Sequence, residues 1–375
     1  MVSDTAVWGA VACGAELGAG FEHPTADSVR PSSSRAFVGC LLTSSKVQET
    51  QITARYKQFY WCFACPTRGW RHHSCMTQNY QKMLILDGSN LCHRSYHALA
   101  GTGLRDADGN AVWAMHGMLG LIGKLVSDVG ATHVVVCRDL PGGCPDRKNA
   151  IPEYKAHRSA PEPDLRVQLN RYPVLLEEIG VTNIAMDGIE ADDLLACVAA
   201  EAERRGMHSV IVTNDRDAYQ LLRPGVDVVR PDGVIVSNAT IQAKYGVEAH
   251  EYAKLAALVG EPGDGISGLP RVGTKTAAKL INHFKDELES ALTDHARLRE
   301  CVSESVAKLV VENAHIYSRN LRVAKLRDDL DVSAAVSASN VDAWNAEQVQ
   351  RVCRDWGLPR AGAALWAGVG DTAPF

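Results

Sequence analysis

Short, almost wholly apolar runs recur through the middle of the chain: Met83-Leu84-Ile85-Leu86, Val134-Val135-Val136-Cys137 and Val210-Ile211-Val212. Runs of this length without alternation read as strands buried on both faces. The segments between them carry the helical period instead. Met115, Met118, Leu119, Ile122 and Val126 share one stripe of a helix predicted over Val112–Val129, and further helices are predicted after Asn90 through His97, over Arg166–Ile179 and over Leu194–Ala202. Strands alternating with helices predict an α/β fold with a doubly wound, mostly parallel sheet. Gly233 marks a hairpin between Val226–Val229 and Val234–Val236.

Each apolar run ends in acid. Asp87 follows the first, Asp139 the second, and Asp215 with Asp217 the third. Doubly wound sheets bind ligands beyond the carboxyl ends of their strands, so these acids should converge. Glu190, Asp192 and Asp193 open the helix that begins near Leu194. One acid there caps a helix and suits its dipole, but three within four residues repel one another unless a cation lies between them. An Asp capping the next helix explains any one of these residues. Together they point to a divalent metal centre at the strand carboxyl ends.

Composition narrows the class without changing this picture. The chain has 375 residues, 46% of them hydrophobic, enough for a full core with a smaller appendage. A formal net charge of −5 argues against a uniformly basic nucleic-acid binder, although the acidic cluster supplies much of it. Eleven cysteines are scattered, several within apolar runs, as reduced buried thiols are. There is no membrane-length apolar stretch and no basic start typical of a secretory signal, so a cytoplasmic, monomeric protein is expected.

Residues 1–82 have weak periodicity and a linker-like Pro31-Ser32-Ser33-Ser34, and are expected to be poorly ordered. Cys62, Cys65, His72, His73 and Cys75 are the ligand types of a zinc knuckle, or part of an exposed patch with Trp61 and Trp70. Residues 83–240 form the α/β domain. Within it, Gly88 permits a tight turn after Asp87, and Arg147, Lys148, Tyr154, Lys155, His157 and Arg158 interleave charge and aromaticity on an expected mobile loop or arch. Such a mixture can grip phosphates and stack an unpaired base. Residues 241–335 hold a Gly-rich patch from Gly260 to Ala278, which adds Glu261 and Asp264 and opens a helix at Gly273-Thr274-Lys275-Thr276. That start is a plain cap or a phosphate-binding helix N-terminus; the glycines of a P-loop are missing. Residues 336–375 read as a carboxyl-terminal tail, with no chemistry from Gly357 onward.

Taken in order, Leu86-Asp87-Gly88-Ser89, Tyr154-Lys155-Ala156-His157-Arg158, Glu190-Ala191-Asp192-Asp193, Thr213-Asn214-Asp215-Arg216-Asp217 and the Gly260–Ala278 patch resemble the 5′ nuclease family. That family includes the amino-terminal domain of bacterial DNA polymerase I, phage 5′ exonucleases and, more distantly, flap endonucleases. The resemblance runs from about Met83 to Leu330. It implies a first metal near Asp87, Asp139, Glu190 and Asp192, and a second near Asp215, Asp217, Glu261 and Asp264. Asp193 would lie close to both through water. It further implies catalytic arch residues Tyr154, Lys155 and Arg158. A DNA-gripping helix-hairpin-helix would include Gly268, Arg271, Gly273, Thr274, Lys275 and Thr276. The implied cofactors are two Mg²⁺ ions, with Mn²⁺ as a substitute and K⁺ at the hairpin, and the implied partner is DNA with 5′ ends or flaps.

The sequence departs from the family pattern in places. Glu261 stands where bacterial members usually carry Asp, Arg138 where an aromatic is usual, and Arg271 where a hairpin Gly is common. The spacing from Asp139 to Tyr154 is one residue longer. The expected activity is 5′-3′ exonuclease and flap endonuclease cleavage in replication or repair. The alternatives are a catalytically weakened DNA-structure-binding protein and a related metal-dependent ribonuclease.

Overall fold

A computed structural model describes residues 81–370, and the Cys62, Cys65, His72, His73 and Cys75 group lies outside the described residues. The apolar runs form strands of one sheet, to which a short unpredicted strand, β3, is added: β1 (Lys82–Asp87), β2 (His133–Cys137), β3 (Asn183–Ile184), β4 (His208–Val212), β5 (Val226–Val229) and β6 (Ile235–Val236). Their order is β3-β2-β1-β4-β5-β6, parallel except for the β5–β6 hairpin around Gly233. The register pairs Asp87 with Cys137 and Leu86 with Val212. The loops carrying Asp139 and Asp215 therefore leave the sheet at the same edge as Asp87.

Helices α1 (Gly88–Leu99), α2 (Trp113–Val129), α3 (Pro145–Ala150), α4 (Pro163–Glu178) and α5 (Ala191–Arg204) occupy the crossovers. α4 starts earlier than the apolar pattern predicts because Pro163, whose fixed φ suits a first helical turn, opens it. After the sheet come α6 (Asn238–Tyr245), α7 (Tyr252–Val259) and α8 (Thr274–Phe284). Successive side chains of β1 alternate between two cores. Leu84 and Leu86 join α1, α2 and α4 on one face; Met83 and Ile85 join α5, α7 and α8 on the other.

A small antiparallel hairpin, β7 (Gly260–Glu261) and β8 (Ile266–Ser267), connects α7 to the turn before α8. It closes only with glycine at two positions. A Cβ on Gly260 would sit 2.3 Å from the Gly268 nitrogen, and one on Gly268 would sit 2.1 Å from the Val259 carbonyl.

The remaining helices are α9 (Leu288–Ala291), α10 (His295–Leu298), α11 (Glu304–Glu312), α12 (Ala314–Ala324), α13 (Ser333–Ala338), α14 (Ala346–Asp355) and α15 (Pro359–Gly370). Buried Asn320 pins α12 beneath the hairpin, its amide donating to the Ala257 and Ser267 carbonyls at 3.0 and 2.8 Å. The segment expected to be a tail is instead structured. Ala361, Leu365 and Val369 of α15 are buried in the core that holds α2. A Cβ on Gly368 would fall 1.9 Å from the Gly123 carbonyl, so the two helices touch backbone to backbone. Small residues make that contact and leave a weak apolar period, which is why the pattern failed to reveal it. Among the described residues no helix is long and apolar enough to cross a membrane.

Gly368→Val should drive a side chain into the α2 backbone and cost about 1–3 kcal/mol. Chemical denaturation of the full chain checks this; an unchanged midpoint would mean that α15 does not dock on α2.

Candidate active site and metal centre

The acids reach the cleft through a chain of local bonds. Asp87 caps α1, its Oδ1 accepting the Asn90 N–H at 2.9 Å, while its Oδ2 accepts the Thr213 hydroxyl at 2.9 Å and ties the end of β1 to that of β4. The Thr213 oxygen accepts the Asp215 N–H, and Asp215 Oδ1 accepts the Asp217 N–H, both at 3.0 Å. That turn brings two acids, spaced two residues apart, to the same side. Asp139 accepts the Ala191 N–H at 2.9 Å and so caps α5. For Asp87 and Asp139, capping is thus a real structural duty alongside any other.

Asp217, Glu261 and Asp264 each place a carboxylate oxygen within 4.8 Å of the others. Burial, with Glu261, Asp215 and Asp264 nearby, pushes the Asp217 carboxyl well above the usual range. Burial also raises Glu261, aided by Asp264 and Asp215 and opposed by Arg216. Asp192 is pushed well up by burial and then by Asp215, Asp87 and Asp217. Asp87 rises to about 7, through burial and the neighbouring Asp139 and Asp215 charges, against the lowering effect of its two hydrogen bonds. Oxygen donors that oppose one another's ionisation fit hard divalent cations, whose charge would reverse those shifts.

The cations that keep the Glu190, Asp192 and Asp193 run from repelling itself are Arg147 and Lys155. Arg147, only 7% exposed, donates to Glu190 Oε2, to Asp193 Oδ1 at 2.8 Å and to the Val323 carbonyl at 3.0 Å. Lys155 Nζ donates to Glu190 Oε1 at 3.0 Å, and the Tyr154 hydroxyl donates to Oε2 at 2.8 Å. Burial pushes the Glu190 carboxyl up, but Lys155 and Arg147 outweigh it and hold the group below the usual range. Lys155 is opposed by burial yet raised overall by Glu190, so it is a cation at neutral pH.

One expectation changes here. Tyr154 is 5% exposed and bonded to Glu190, so it supports the acid and presents no face for stacking a base. Asp193 is a counter-ion of Arg147, and its Oδ1 also accepts the Arg327 N–H at 3.0 Å. The role of Arg147 was hidden in the sequence among other basic loop residues. Its one signal was the unpaid repulsion of the acidic run.

The rest of the arch segment is fastened to the loop after β7. The Lys155 N–H donates to the Asp264 carbonyl at 2.8 Å, Arg158 pairs with the Asp264 carboxylate at 2.6 Å, and His157 Nε2 lies 3.1 Å from the Gly263 carbonyl. Lys155 is held at φ +53, a left-handed conformation that costs a non-glycine residue about 1–2 kcal/mol. Arg271 has φ +59, which explains why glycine suits that hairpin position. Gly273 precedes α8 with no side-chain cap, leaving first-turn N–H groups free for an anion. α8 buries Ala277, Leu280, Ile281 and Phe284 and turns Lys275, Lys279 and His283 outward.

The family model of the 5′-3′ exonuclease N-terminal resolvase-like domain matches residues 82–246, and that of the 5′-3′ exonuclease C-terminal SAM fold matches residues 247–347. A 5′-3′ exonuclease of Streptomyces coelicolor is 33% identical over 296 residues, covering 73% of this chain and 96% of the relative. The chain belongs to the 5′-3′ exonuclease family. Its α/β domain and hairpin region follow the two family models in sequence. DNA polymerase I of Mycobacterium tuberculosis is 31% identical over 279 residues, and the chain spans 30% of that relative's length. T5 5′-exonuclease, solved with divalent zinc ions bound, is 20% identical and superposes with a TM-score of 0.53 over 77% of this chain and 100% of that one. At that identity the likeness is one of fold.

Two outcomes follow from the charges. Arg147→Met should leave Asp193 buried without its cation and Glu190 with Lys155 alone, and cost about 3–5 kcal/mol; a loss below 1 kcal/mol in denaturant titration would remove Arg147 from its central role. Asp87 binds its proton more tightly folded than unfolded, so its contribution to metal-free stability is fully present below about pH 4 and is lost as pH rises toward about 7. Melting in chelator should therefore be lower at pH 8 than at pH 5.5, and Mg²⁺ should restore the pH 8 value. A metal-free protein that gains stability over this range contradicts the assignment.

Proposed function

We propose that the chain is a structure-specific 5′-3′ exonuclease and 5′ flap endonuclease that hydrolyses DNA phosphodiester bonds as a monomer in replication or repair. The observation that carries this reading is the Asp217, Glu261 and Asp264 cluster, set beside Asp87, Asp192 and Asp215 and faced by Lys155. Asp87, Asp139, Glu190 and Asp192 would hold one ion, and Asp215, Asp217, Glu261 and Asp264 the other. Bound there, two Mg²⁺ or Mn²⁺ ions would supply an activated water and neutralise the leaving oxygen.

The chain's own side chains do the remainder. Lys155 is a protonated cation fixed at both its backbone and its Nζ, so it can offset charge growing on the attacked phosphate without first reorganising. Arg158, exposed and anchored by Asp264, can hold the neighbouring phosphate. The free N–H groups at Thr274–Thr276, with Lys275 and Lys279, suit a duplex backbone. Carbonyls between Gly268 and Gly273 suit K⁺. Glu261 remains within reach of Asp217 and Asp264 despite its extra methylene, which favours a cutting enzyme over a protein that only binds DNA structures.

The deciding experiment incubates the purified chain with end-labelled flap, nicked and single-stranded DNA and matching RNA, in Mg²⁺, in Mn²⁺ and in chelator. Metal-dependent cutting of flap DNA is expected; cutting of RNA alone would favour a ribonuclease, and binding without cutting a structural protein. Asp192→Ala should abolish cleavage and spare binding. Lys155→Ala should slow cleavage on the order of 10²-fold, while Lys275→Ala should mainly weaken duplex binding and flatten its salt dependence. If these last two variants behaved alike in both assays, the division of labour would be wrong.

A further inference from the structure

Arg147 and Asp193 also wall a cavity of about 200 Å³, whose other charged residues are Asp146, Arg322, Lys325 and Arg327. Ile189 and Val323 form part of its apolar lining. The cavity lies where α3, the first turn of α5 and the carboxyl end of α12 meet. Four of its charged side chains are cations and two are acids, and the pairing within it is uneven. Asp193 is already satisfied by Arg147 and by the Arg327 N–H, and the Arg327 guanidinium is engaged by Asp329 at 3.0 Å. Arg322 and Lys325 are exposed and, among the described residues, have no ion-pair partner. Asp146 is the only acid left to face them.

Arg147 is balanced by Glu190 and Asp193, which leaves Arg322 and Lys325 with Asp146 as the one opposing charge in the cavity. Such an arrangement is stabilised by an anion between them. The space far exceeds the ~30 Å³ share of one water and has room for a phosphodiester. Its position is next to the acidic cleft, because Arg147, in the cavity wall, also donates to Glu190.

We propose that this cavity is a second phosphate subsite, in which Arg322 and Lys325 grip the backbone of the substrate strand beside the acidic cleft. The inference rests on the nuclease reading above. It also places a strand contact against α3, the helix that carries Arg147, so that a filled subsite brings substrate charge to the base of the arch.

The test uses the full chain with Arg322→Gln and Lys325→Gln combined, and with Lys308→Gln on α11 as a distant charge control. Binding of a 5′ flap DNA is measured in chelator across a salt series, and Mg²⁺-dependent cleavage is measured at low and at saturating substrate. The double variant should lose about 1.5 from the slope of log affinity against log salt. It should bind several-fold more weakly and raise KM with kcat unchanged, while the control leaves all three alone. An unchanged slope in the double variant overturns the subsite. So does saturable binding of inorganic phosphate, followed by ³¹P NMR, that the double variant abolishes while its DNA slope stays intact, because the cavity would then be a site for free phosphate. A wild-type chain that neither binds nor cuts flap DNA would instead overturn the nuclease reading itself, a result distinguishable from both.

Discussion

Mutual repulsion among carboxylates crowded into one cleft is the constraint that the rest of this structure depends on. Asp87, Asp192, Asp217 and Glu261 are all driven up by burial and by neighbouring acids. Left alone, such a cluster would open the ends of the strands that carry it. Two devices resist that outcome: hydrogen bonds that fix Asp87, Asp139 and Asp215 to backbone or hydroxyl donors, and a buried guanidinium that takes charge from the acids at the mouth of α5. The cleft is therefore held in shape by the protein while its charge is left for divalent ions to neutralise.

Arg147 links that charge balance to the fold as a whole. It reaches from α3 to the start of α5 and, through the Val323 carbonyl, to the end of α12. α12 is fastened in turn to the hairpin by Asn320 and to the loop after β4, where Gln220 donates to the Ala324 carbonyl at 3.0 Å. The regions matched by the two family models are therefore bonded to each other around the acids rather than only tethered by the chain. A substitution at this junction would disturb the acidic cleft and the hairpin region together.

The division between capping and catalysis is also less sharp than residue types suggest. Asp139 caps α5, and Asp87 caps α1 while bonding Thr213. Each can still offer lone pairs to an ion, since an ionised carboxylate accepts several bonds. Lys155 shows the converse: a cation facing the acidic cleft sits in a strained backbone conformation, stabilised by the Asp264 carbonyl and the Glu190 carboxylate. Strain of this kind persists where surrounding contacts over-determine the geometry.

The sequence by itself determined the sheet apart from β3, because uninterrupted apolar runs can be satisfied only as strands covered on both faces, whereas Asn183–Ile184 is too short and too polar to stand out. It also determined that Asp87, Asp139 and the Asp215–Asp217 pair gather at one edge, because parallel strands end together. The ordered motifs from Leu86 to Ala278 were enough to suggest the family. Tertiary structure alone decided the partners. Which cation neutralises Glu190 and Asp193, that Tyr154 is buried beneath an acid instead of free to stack, and that Asp217, Glu261 and Asp264 meet all depend on contacts between residues far apart in the chain. The docking of α15 was equally hidden, for a different reason: Gly123 and Gly368 make their contact by lacking side chains, and a pattern of apolar side chains carries no trace of it.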